Sequence, residues 1–504
     1  MVRRVASVSI YHSRGLPAGR EATSVASAMQ APVPTSRPEL SRSLGVIAGI
    51  SINVANIIGT GVFLKSRVMT CNVEDPIAVL GVWLGAGLLV LIGALCYAEV
   101  SAMMPEAGGE YVYLRRAYGR ATSFLFGWTQ FAIVRAASQA ALAIACAIFL
   151  NLATGGWLDQ WHYQAALAGF RLDLTAVQLI ALVILWITAW INCASVRTSG
   201  GAAAVLTLLK IAVVVAVGMG ALLLAPGEWT HLSMSGAGGS CEGVEDTARG
   251  GFAGVGAAML GALWAYDGWS NVAPLAGEVR EPQRNLPRIF VTGTAIVIVL
   301  YVFVNAAYFY VLTPEQVANI PATGSLAVQV LQSFLGPVAV TFAALALMVS
   351  SFGALHASVL AGARIPYAMA RDGLFFRGLA RVSPHTHVPI RAVLAQSVWA
   401  SVLALSGNYD TLTDAVIFAA WLFYGLAAAS LFVFRRRLPD APRPYRAFGY
   451  PLLPAIFVLA SAGLLFTTFL ATPRQAIFGA GLMLAGLPFY LYWTRAAGRN
   501  SPEA

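Results

Sequence analysis

Two short glycine-containing stretches, each inside an otherwise apolar segment, have the residue types that could bind a small charged molecule. Gly59–Gly61 interrupts the run GVIAGISINVANIIGTGVFL, and Asp267–Gly268 interrupts the run GALWAYDGWSNVAPLAGEV. A helix that stops and restarts there exposes C=O groups at the end of its first half and N–H groups at the start of its second half. The N–H end suits a carboxylate and the C=O end suits an ammonium. The two stretches therefore predict a site for a zwitterion that needs no buried charged side chain.

The elements that must position these stretches are apolar helices that cross a membrane. Of the 504 residues, 58% are hydrophobic and only 11% are charged, whereas soluble proteins have about 25% charged residues. One spanning helix needs about 20 mostly apolar residues, and the chain contains about twelve such runs. We predict spans at 44–65, 78–101, 122–150, 175–194, 203–224, 251–278, 289–312, 337–363, 389–406, 411–434, 451–471 and 475–494. A soluble enzyme with a large core is excluded.

The two interrupted runs fall in the first and the sixth predicted spans, which is the offset of an inverted five-plus-five repeat. Interrupted helices at corresponding positions of two halves are typical of transporter binding sites. We therefore predict an all-α polytopic membrane protein with about 12 transmembrane helices, of which helices 1 and 6 are broken. Its parts are a disordered cytoplasmic tail at 1–43, a first inverted repeat at 44–224, a second at 251–434, peripheral spans at 451–494 and a cytoplasmic tail at 495–504.

Two other interpretations of the same pattern exist. The glycines could serve only to let helices pack closely, because small residues are common at helix interfaces in membranes. A major-facilitator protein would also have twelve spans, but that fold does not explain paired breaks in the first and sixth.

The basic residues indicate which side of the membrane holds the termini. The net charge is +10, and most of the 32 Lys and Arg residues lie in the tails and in loops on the side of the N-terminus. Basic loops stay in the cytoplasm, so both termini are predicted to be cytoplasmic. Residues 1–43 are rich in Ser, Ala, Pro and Arg, which favours a disordered tail. A transit peptide or a start at Met29 would fit the same composition.

Four ionisable residues lie within or near the predicted spans. Lys210 is in the middle of VLTLLKIAVVV, where a charge is costly, so we predict a functional role rather than a snorkelling side chain. Asp267 has two competing interpretations: its carboxylate selects the substrate side chain, or it has a structural role, such as capping the outer half-helix. Arg135 and Glu99 are expected to form structural pairs or to anchor the topology.

Neither a metal nor a cofactor is indicated by the remaining residues. The five cysteines include no CxxC pair, which predicts no metal site and no disulfide framework. Cys241, in a predicted outer loop, is expected to be a free thiol. The predicted spans lack the cluster of His, Asp and Glu that a membrane-embedded enzyme would need, and no nucleotide-binding motif is present. We therefore predict that the chain is not an enzyme.

Several long motifs resemble those of one transporter family. They are NIIGTGVF in the first span, LCYAEVSAMMPEAGGEYVYLRRAYG between the second and third, IVRAASQ in the third, and LWAYDGW followed by GEVREPQRNLP in and after the sixth. From Leu44 to Tyr490 the chain resembles the L-type amino acid transporter (LAT) family of the amino acid–polyamine–organocation (APC) superfamily. The third motif differs from the family's IRPSSQ because Ala136 replaces the proline.

The resemblance implies a LeuT-like fold and a set of substrate-binding residues. The amides of Thr60 and Gly61 would hold the substrate carboxylate, and three backbone carbonyls would hold its amine. Those carbonyls belong to Ile57, Trp264 and Asp267. With the residues of the two breaks, the predicted set is Ile57, Gly59, Thr60, Gly61, Trp264, Asp267, Gly268, Phe418 and Trp421.

Three of these side chains, and also Lys210, have further implied roles. Trp264 stands where the family has an aromatic gate over the substrate, and Phe418 and Trp421 match positions near the side-chain pocket. Lys210 matches a fifth-span lysine that occupies the place where sodium-coupled relatives bind sodium. A fixed cation there would replace the ion and couple the fifth span to the broken first helix, which predicts sodium-independent transport.

The predicted function is thus a sodium-independent amino acid exchanger that works by alternating access. Neutral amino acids are the expected substrates, with cationic ones left open. The alternatives are a proton-coupled amino acid or polyamine symporter, and a channel or membrane nutrient sensor that moves no cargo. Family members with a glycoprotein partner have a cysteine in the loop after the third span, and GGWLDQWHYQAALAGFRLD has none. We therefore expect a permease of the plasma or inner membrane without a disulfide-linked heavy chain and without nucleic acid.

Overall fold

The computed structural model describes residues 42–167, 170–194, 196–236, 238–242, 244, 246–320, 325–336, 338–406, 409–471 and 473–498. The predicted tail at 1–43 falls almost entirely outside these residues, and so does 499–504 of the predicted tail at 495–504. From Arg42 onward the described residues belong to one compact unit.

The first half of the chain is a succession of helices with one β-hairpin. The helices are α1 (Val46–Ile57), α2 (Gly61–Val73), α3 (Pro76–Met103), α4 (Glu110–Tyr118), α5 (Arg120–Thr129), α6 (Arg135–Ala153), α7 (Ala176–Ala194) and α8 (Val196–Leu224). A π-helical turn, Gln130–Val134, joins α5 to α6. The strands β1 (His162–Leu167) and β2 (Phe170–Thr175) pair antiparallel where the sequence predicted a loop.

The second half is also helical. Its helices are α9 (Gly251–Ala265), α10 (Pro282–Val311), α11 (Pro314–Ala318), α12 (Leu326–Leu335), α13 (Val338–Gly362), α14 (Arg364–Arg371), α15 (Ile390–Ser406), α16 (Tyr409–Arg437), α17 (Leu452–Ala471), α18 (Pro473–Leu484) and α19 (Gly486–Gly498). A 3₁₀ segment, Ala273–Glu278, lies between α9 and α10.

Local sequence explains where several helices begin. The Asp75 carboxylate accepts a hydrogen bond from the N–H of Ala78 at 2.7 Å, and Pro76 occupies the first helical position of α3. An acidic N-cap followed by proline is a strong start signal, because the cap satisfies a free N–H and proline has none to satisfy. Thr313 and Gln316 form a reciprocal capping box at the start of α11.

Helices lie at the predicted span positions, but only some of them are long and apolar enough to cross a bilayer on their own. Among the described residues, six helical stretches are long and apolar enough to span a membrane, and the bent pair of α1 and α2 makes a seventh. The six are Pro76–Met103, Arg120–Ala153, Ala176–Ala194, Thr207–Leu224, Pro282–Val311 and Thr341–Arg371. Shorter apolar helices are Gly251–Ala265, Leu326–Leu335, Ile390–Leu405 and Leu452–Phe466. The chain is thus a polytopic membrane protein.

Both predicted interruptions are present in the structure. The axis bends by 41° between α1 and α2, and α9 ends at Ala265, before a turn that leads into the 3₁₀ segment. Gly268 in this turn has φ +100°, and a Cβ there would lie 2.5 Å from the carbonyl oxygen of Asn56. Only glycine accepts both that conformation and that approach. The two breaks therefore pack directly against each other.

The prediction that Cys241 is a free thiol was wrong. Cys241 forms a disulfide with Cys71 near the end of α2, with the two Cα atoms 5.7 Å apart and 170 residues between them in sequence. Spacing rules for cysteines look for local pairs, so they could not detect a bond between the first span and a distant loop.

Candidate functional site

A cavity lies where the two broken helices meet. Its volume is about 50 Å³, which is room for one or two water molecules or for the charged end of a small ligand. Its lining residues are Asn56, Ile57, Gly59, Thr60, Gly61, Ser138, Leu142, Trp264, Ala265, Asp267, Gly268, Asn271, Ala354 and Ser358. Seven of the nine residues in the predicted substrate-binding set are among them, so the structure brings these seven together.

The C-terminal ends of α1 and α9 point at this cavity and share one hydrogen-bond donor. The hydroxyl of Tyr301, which is completely buried in α10, lies 3.0 Å from the carbonyl oxygen of Ile57 and 3.1 Å from that of Ala265. The last carbonyls of a helix have no partner within it. Because a carbonyl oxygen has two lone pairs, Ile57 can accept from Tyr301 and still face the cavity.

Lys210 also binds backbone carbonyls at the end of α1. Its ammonium donates to the carbonyl of Ala55 at 2.7 Å and also to the carbonyl of Ile58. Its side chain is 1% exposed, and these are the carbonyls that the interruption leaves without helical partners. Lys210 is not among the cavity-lining residues, so it acts on the site through the backbone of α1 rather than by direct contact.

A chain of amides and one guanidinium links the two breaks to the third span. The Asn271 side chain donates to the Oδ1 of Asn56 at 2.8 Å, and Asn271 in turn accepts from the Nη1 of Arg135. Arg135 also donates through Nε to Gln130 at 3.0 Å, in the π-helical turn. Arg135 was expected to make a structural pair, and it does so with two amides instead of a carboxylate.

Asp267 lines the cavity and is held by the tenth predicted span. The hydroxyl of Tyr424 in α16 donates to its Oδ1 at 2.8 Å. Asp267 lies in the turn that follows α9, and the 3₁₀ segment after that turn has Val272 at its N-cap position. The interpretation of Asp267 as the N-cap of the outer half-helix is therefore wrong, since that helix ends before it.

The three predicted aromatic residues have different positions. Trp264 lines the cavity. Trp421 is 2% exposed and packs its ring against Tyr424 and Phe457, and it is absent from the cavity lining. The side chain of Phe418 is outside the described part of the chain.

Several cavity residues were not predicted. Ser138 and Leu142 lie one helical turn apart on α6, and Ala354 and Ser358 lie one turn apart on α13. Ser138, Ala354 and Ser358 are small and Leu142 is an ordinary apolar residue, so their signal in the sequence is only the four-residue spacing within apolar helices. That spacing is common at any helix interface in a membrane, so it could not single out these four.

Glu99 makes the structural pairing that was expected. Its buried carboxylate accepts from Arg435 at 2.7 Å and from the backbone N–H of Ala447 at 2.6 Å, and Arg443 lies 3.5 Å away. The guanidinium of Arg435 also stacks on the ring of Tyr450. This cluster joins α3 to the end of α16, away from the cavity.

Comparisons with known proteins cover nearly the whole chain. The family model for amino acid permeases matches residues 44–492. The chain is 30% identical over 457 residues to the b(0,+)-type amino acid transporter 1 of Mus musculus, across 90% of this chain and 88% of that protein. It is 28% identical over 458 residues to the large neutral amino acids transporter small subunit 2 of Homo sapiens, across 90% and 81% respectively. The similarity thus includes both broken helices and the helices around them.

Proposed function

The chain belongs to the amino acid permease family, and we propose that it is a sodium-independent exchanger of L-amino acids. Membership of a permease family makes it a multi-pass membrane transporter and not an enzyme. The named relatives are amino acid transporters, which supports amino acids as the cargo. Neutral amino acids are the proposed substrates. Whether cationic amino acids are also transported depends on the role of Asp267.

The observation that carries the proposal is the meeting of two interrupted helices at one cavity. The amides of Thr60 and Gly61 would bind the substrate carboxylate at the start of α2, where the helix dipole is positive. The carbonyls of Ile57, Trp264 and Asp267 would bind the amine. Gly59 would leave the main chain open to the ligand, and Trp264 would close over it. Gly61 lets α2 pack against α9, because a Cβ there would lie 2.5 Å from the Cβ of Ala265.

Lys210 supports independence from sodium. Its ammonium already occupies the carbonyls of Ala55 and Ile58, and oxygen atoms of this kind are what a sodium ion would need. Because Lys210 belongs to α8, any movement of α1 relative to α8 must break these bonds. We propose that this is how substrate binding in α1 is coupled to helix movement.

The proposed architecture is twelve spans in a LeuT-like five-plus-five inverted repeat, with both termini cytoplasmic and the plasma or inner membrane as its location. The distribution of basic residues supports this orientation. The Cys71–Cys241 disulfide gives independent support, because it lies on the side assigned to the exterior. Disulfides persist in oxidising compartments and are rare in the cytosol.

A stand-alone permease without a disulfide-linked heavy chain is also proposed. Cys241 is bonded within the chain, and the three free cysteines, Cys96, Cys146 and Cys193, lie inside α3, α6 and α7. No outer loop then offers a thiol to a partner. A heavier adduct on non-reducing gels that disappears with reductant would contradict this.

Countertransport in liposomes tests the function. Purified protein reconstituted into vesicles preloaded with an unlabelled neutral amino acid should take up labelled amino acid, and empty vesicles should not. Replacing sodium by choline should leave the uptake unchanged. Uptake that disappears in choline would contradict sodium independence, and failure to exchange any amino acid would contradict the function itself.

A matched pair of glycine variants tests the site. In Gly59→Ala the new Cβ would lie 3.7 Å from Leu142, an ordinary contact, so the protein should fold while the cavity loses room. One added methyl group in a tight pocket is worth roughly tenfold or more in apparent affinity. Gly81→Ala on α3 is the control, because a Cβ there meets nothing within 4 Å. Equal apparent substrate affinity in Gly59→Ala and Gly81→Ala would show that the substrate does not bind in this cavity.

Competition assays test the role of Asp267. If its carboxylate selects cationic side chains, Asp267→Asn should weaken competition by arginine and lysine far more than competition by leucine. An unchanged ranking of arginine and neutral amino acids would remove the selectivity role.

A further inference from the structure

Glu110, the first residue of α4, is a buried carboxylic acid that the substrate site does not use. Its side chain is 0% exposed. Neither carboxylate oxygen has a hydrogen-bond partner among the described residues. An ionised carboxylate in such a place is very costly, and a neutral one is much less so.

The nearest positive charge does not neutralise Glu110. Arg135 is buried as well, but its Nε and Nη1 are engaged by Gln130 and Asn271, and within the described part of the chain its Nη2 has no hydrogen-bond partner. The structure has no salt bridge between the described Glu110 and Arg135. Burial raises the pKa of the Glu110 carboxyl, and the charge of Arg135 offsets only part of this shift.

The other groups that interact with Glu110 do not supply a compensating charge. Asp267 adds a second negative charge that also raises the pKa of Glu110, and the Ser270 hydroxyl, whose proximity lowers that pKa, lies outside normal hydrogen-bond geometry. Three buried tyrosines interact electrostatically with the carboxyl: Tyr97 on α3, Tyr113 on α4 and Tyr424 on α16. All are neutral at physiological pH.

The start of α4 packs tightly against the inner part of the sixth span. The N–H of Gly108 donates to the carbonyl of Pro274 at 3.2 Å, and a Cβ on Gly109 would lie 2.6 Å from the backbone of Ala273. On another side of α4, Tyr111 and Arg115 line a cavity of about 440 Å³. The inner part of the sixth span thus covers the side of α4 that carries Glu110. Another side of the same helix borders a cavity large enough for water.

We propose that Glu110 is a proton-binding site of the transport cycle. When the inner part of the sixth span closes on α4, one carboxylate oxygen of Glu110 takes a proton from cytoplasmic water. When that part moves away, water reaches the carboxyl and the proton returns to the cytoplasm. The inference rests on the proposed alternating-access function, and Arg135 connects it to the site because it holds Asn271 at the cavity.

The sign of the pH dependence follows from this cycle. Closure requires the neutral acid, so raising the pH lowers the fraction of protein that can close. Exchange should fall as the pH rises above the pKa of Glu110 in the open state, by up to about tenfold per pH unit where proton uptake limits closure. Below that pKa the rate should be flat.

The experiment compares Glu110→Gln with Glu106→Gln in reconstituted vesicles from pH 5 to 9, with the pH equal on both sides. The introduced amide is neutral at every pH, so E110Q should exchange amino acids with no fall at high pH and should keep the thermal stability of the parent protein. Glu106 lies on the same segment in a half-exposed pair with Arg116, so E106Q should keep the parent pH profile.

Two outcomes would overturn the proposal: E110Q with the parent pH profile, or a parent protein whose exchange does not depend on pH. A parent protein that exchanges no amino acid at any pH would instead remove the proposed function. If E110Q does not insert, Glu110→Asp keeps a carboxyl that is one methylene shorter, and its pH midpoint should shift. An unshifted midpoint in E110D would also contradict the proposal.

Discussion

The two ends of the first span are fixed in different ways. At the end that holds the disulfide, α2 is joined covalently to the loop before α9, and Arg67 donates to the backbone carbonyl of Glu242 at 2.8 Å. At the opposite end, the backbone of Leu44 pairs with Glu278 and Arg280 through two hydrogen bonds.

A buried ion pair strengthens the end of the first span at which Leu44 lies. The Glu278 carboxylate and the Arg364 guanidinium are both 0% exposed and make two hydrogen bonds, at 2.7 and 3.1 Å. This pair joins the end of the sixth span to α14. A disulfide cannot open during a transport cycle, whereas hydrogen bonds and ion pairs can. In the proposed transport cycle, α2 and its loop would move as one unit, and the reversible contacts would open and close the opposite end.

The largest expected effect comes from breaking the buried ion pair. Arg364→Leu leaves the Glu278 carboxylate buried without its partner, which costs about 3–5 kcal/mol. The apparent melting temperature in detergent should fall strongly, and exchange should be lost. The half-exposed Glu106–Arg116 pair is the control, because removing an exposed pair costs at most about 1 kcal/mol.

A double variant sharpens this test. Replacing both partners by leucine leaves no lone charge, so it should recover much of the stability that Arg364→Leu loses. It should still fail to restore normal exchange if the pair controls closure. Full recovery of exchange would show that the pair contributes only to stability.

The disulfide should give the next largest effect. Cys71→Ser removes a cross-link that closes a long loop, which costs about 2–5 kcal/mol of stability. Reductant should lower the melting temperature of the parent protein and leave that of Cys71→Ser unchanged, with Cys193→Ser as the control. Labelling of Cys241 by a membrane-impermeant maleimide without reductant would contradict the bond.

Tyr301→Phe should give the smallest effect, because it removes one hydroxyl that serves two carbonyls. The expected loss is about 1–3 kcal/mol, and it should appear as slower exchange because the carbonyls of Ile57 and Ala265 lie at the breaks. Tyr310→Phe on the same helix is the control, since Tyr310 packs against Trp229 and lies outside the cavity lining. Equal exchange rates in both variants would show that Tyr301 does not organise the breaks.

The chain's own residues were sufficient to predict the two breaks, and together with the family resemblance they predicted seven of the fourteen residues that line the cavity. In a bilayer every backbone N–H and C=O must find a partner nearby. Glycines and a proline in an apolar run therefore indicate that the helix is interrupted there. Gly59, Thr60, Gly61 and Gly268 could be predicted for that reason. Trp421 could not be placed, because its distance from the cavity depends on how α16 packs against α17.

The sequence by itself determined the membrane-spanning helices, their interruptions and the buried position of Lys210, since all three follow from local hydropathy and backbone chemistry. Only the tertiary structure decided which groups meet across the chain. The bond between Cys71 and Cys241, the carbonyls that Lys210 binds and the burial of Glu110 against the sixth span join residues far apart in sequence. Such contacts depend on how the helices pack in three dimensions, and a local sequence pattern does not predict that packing.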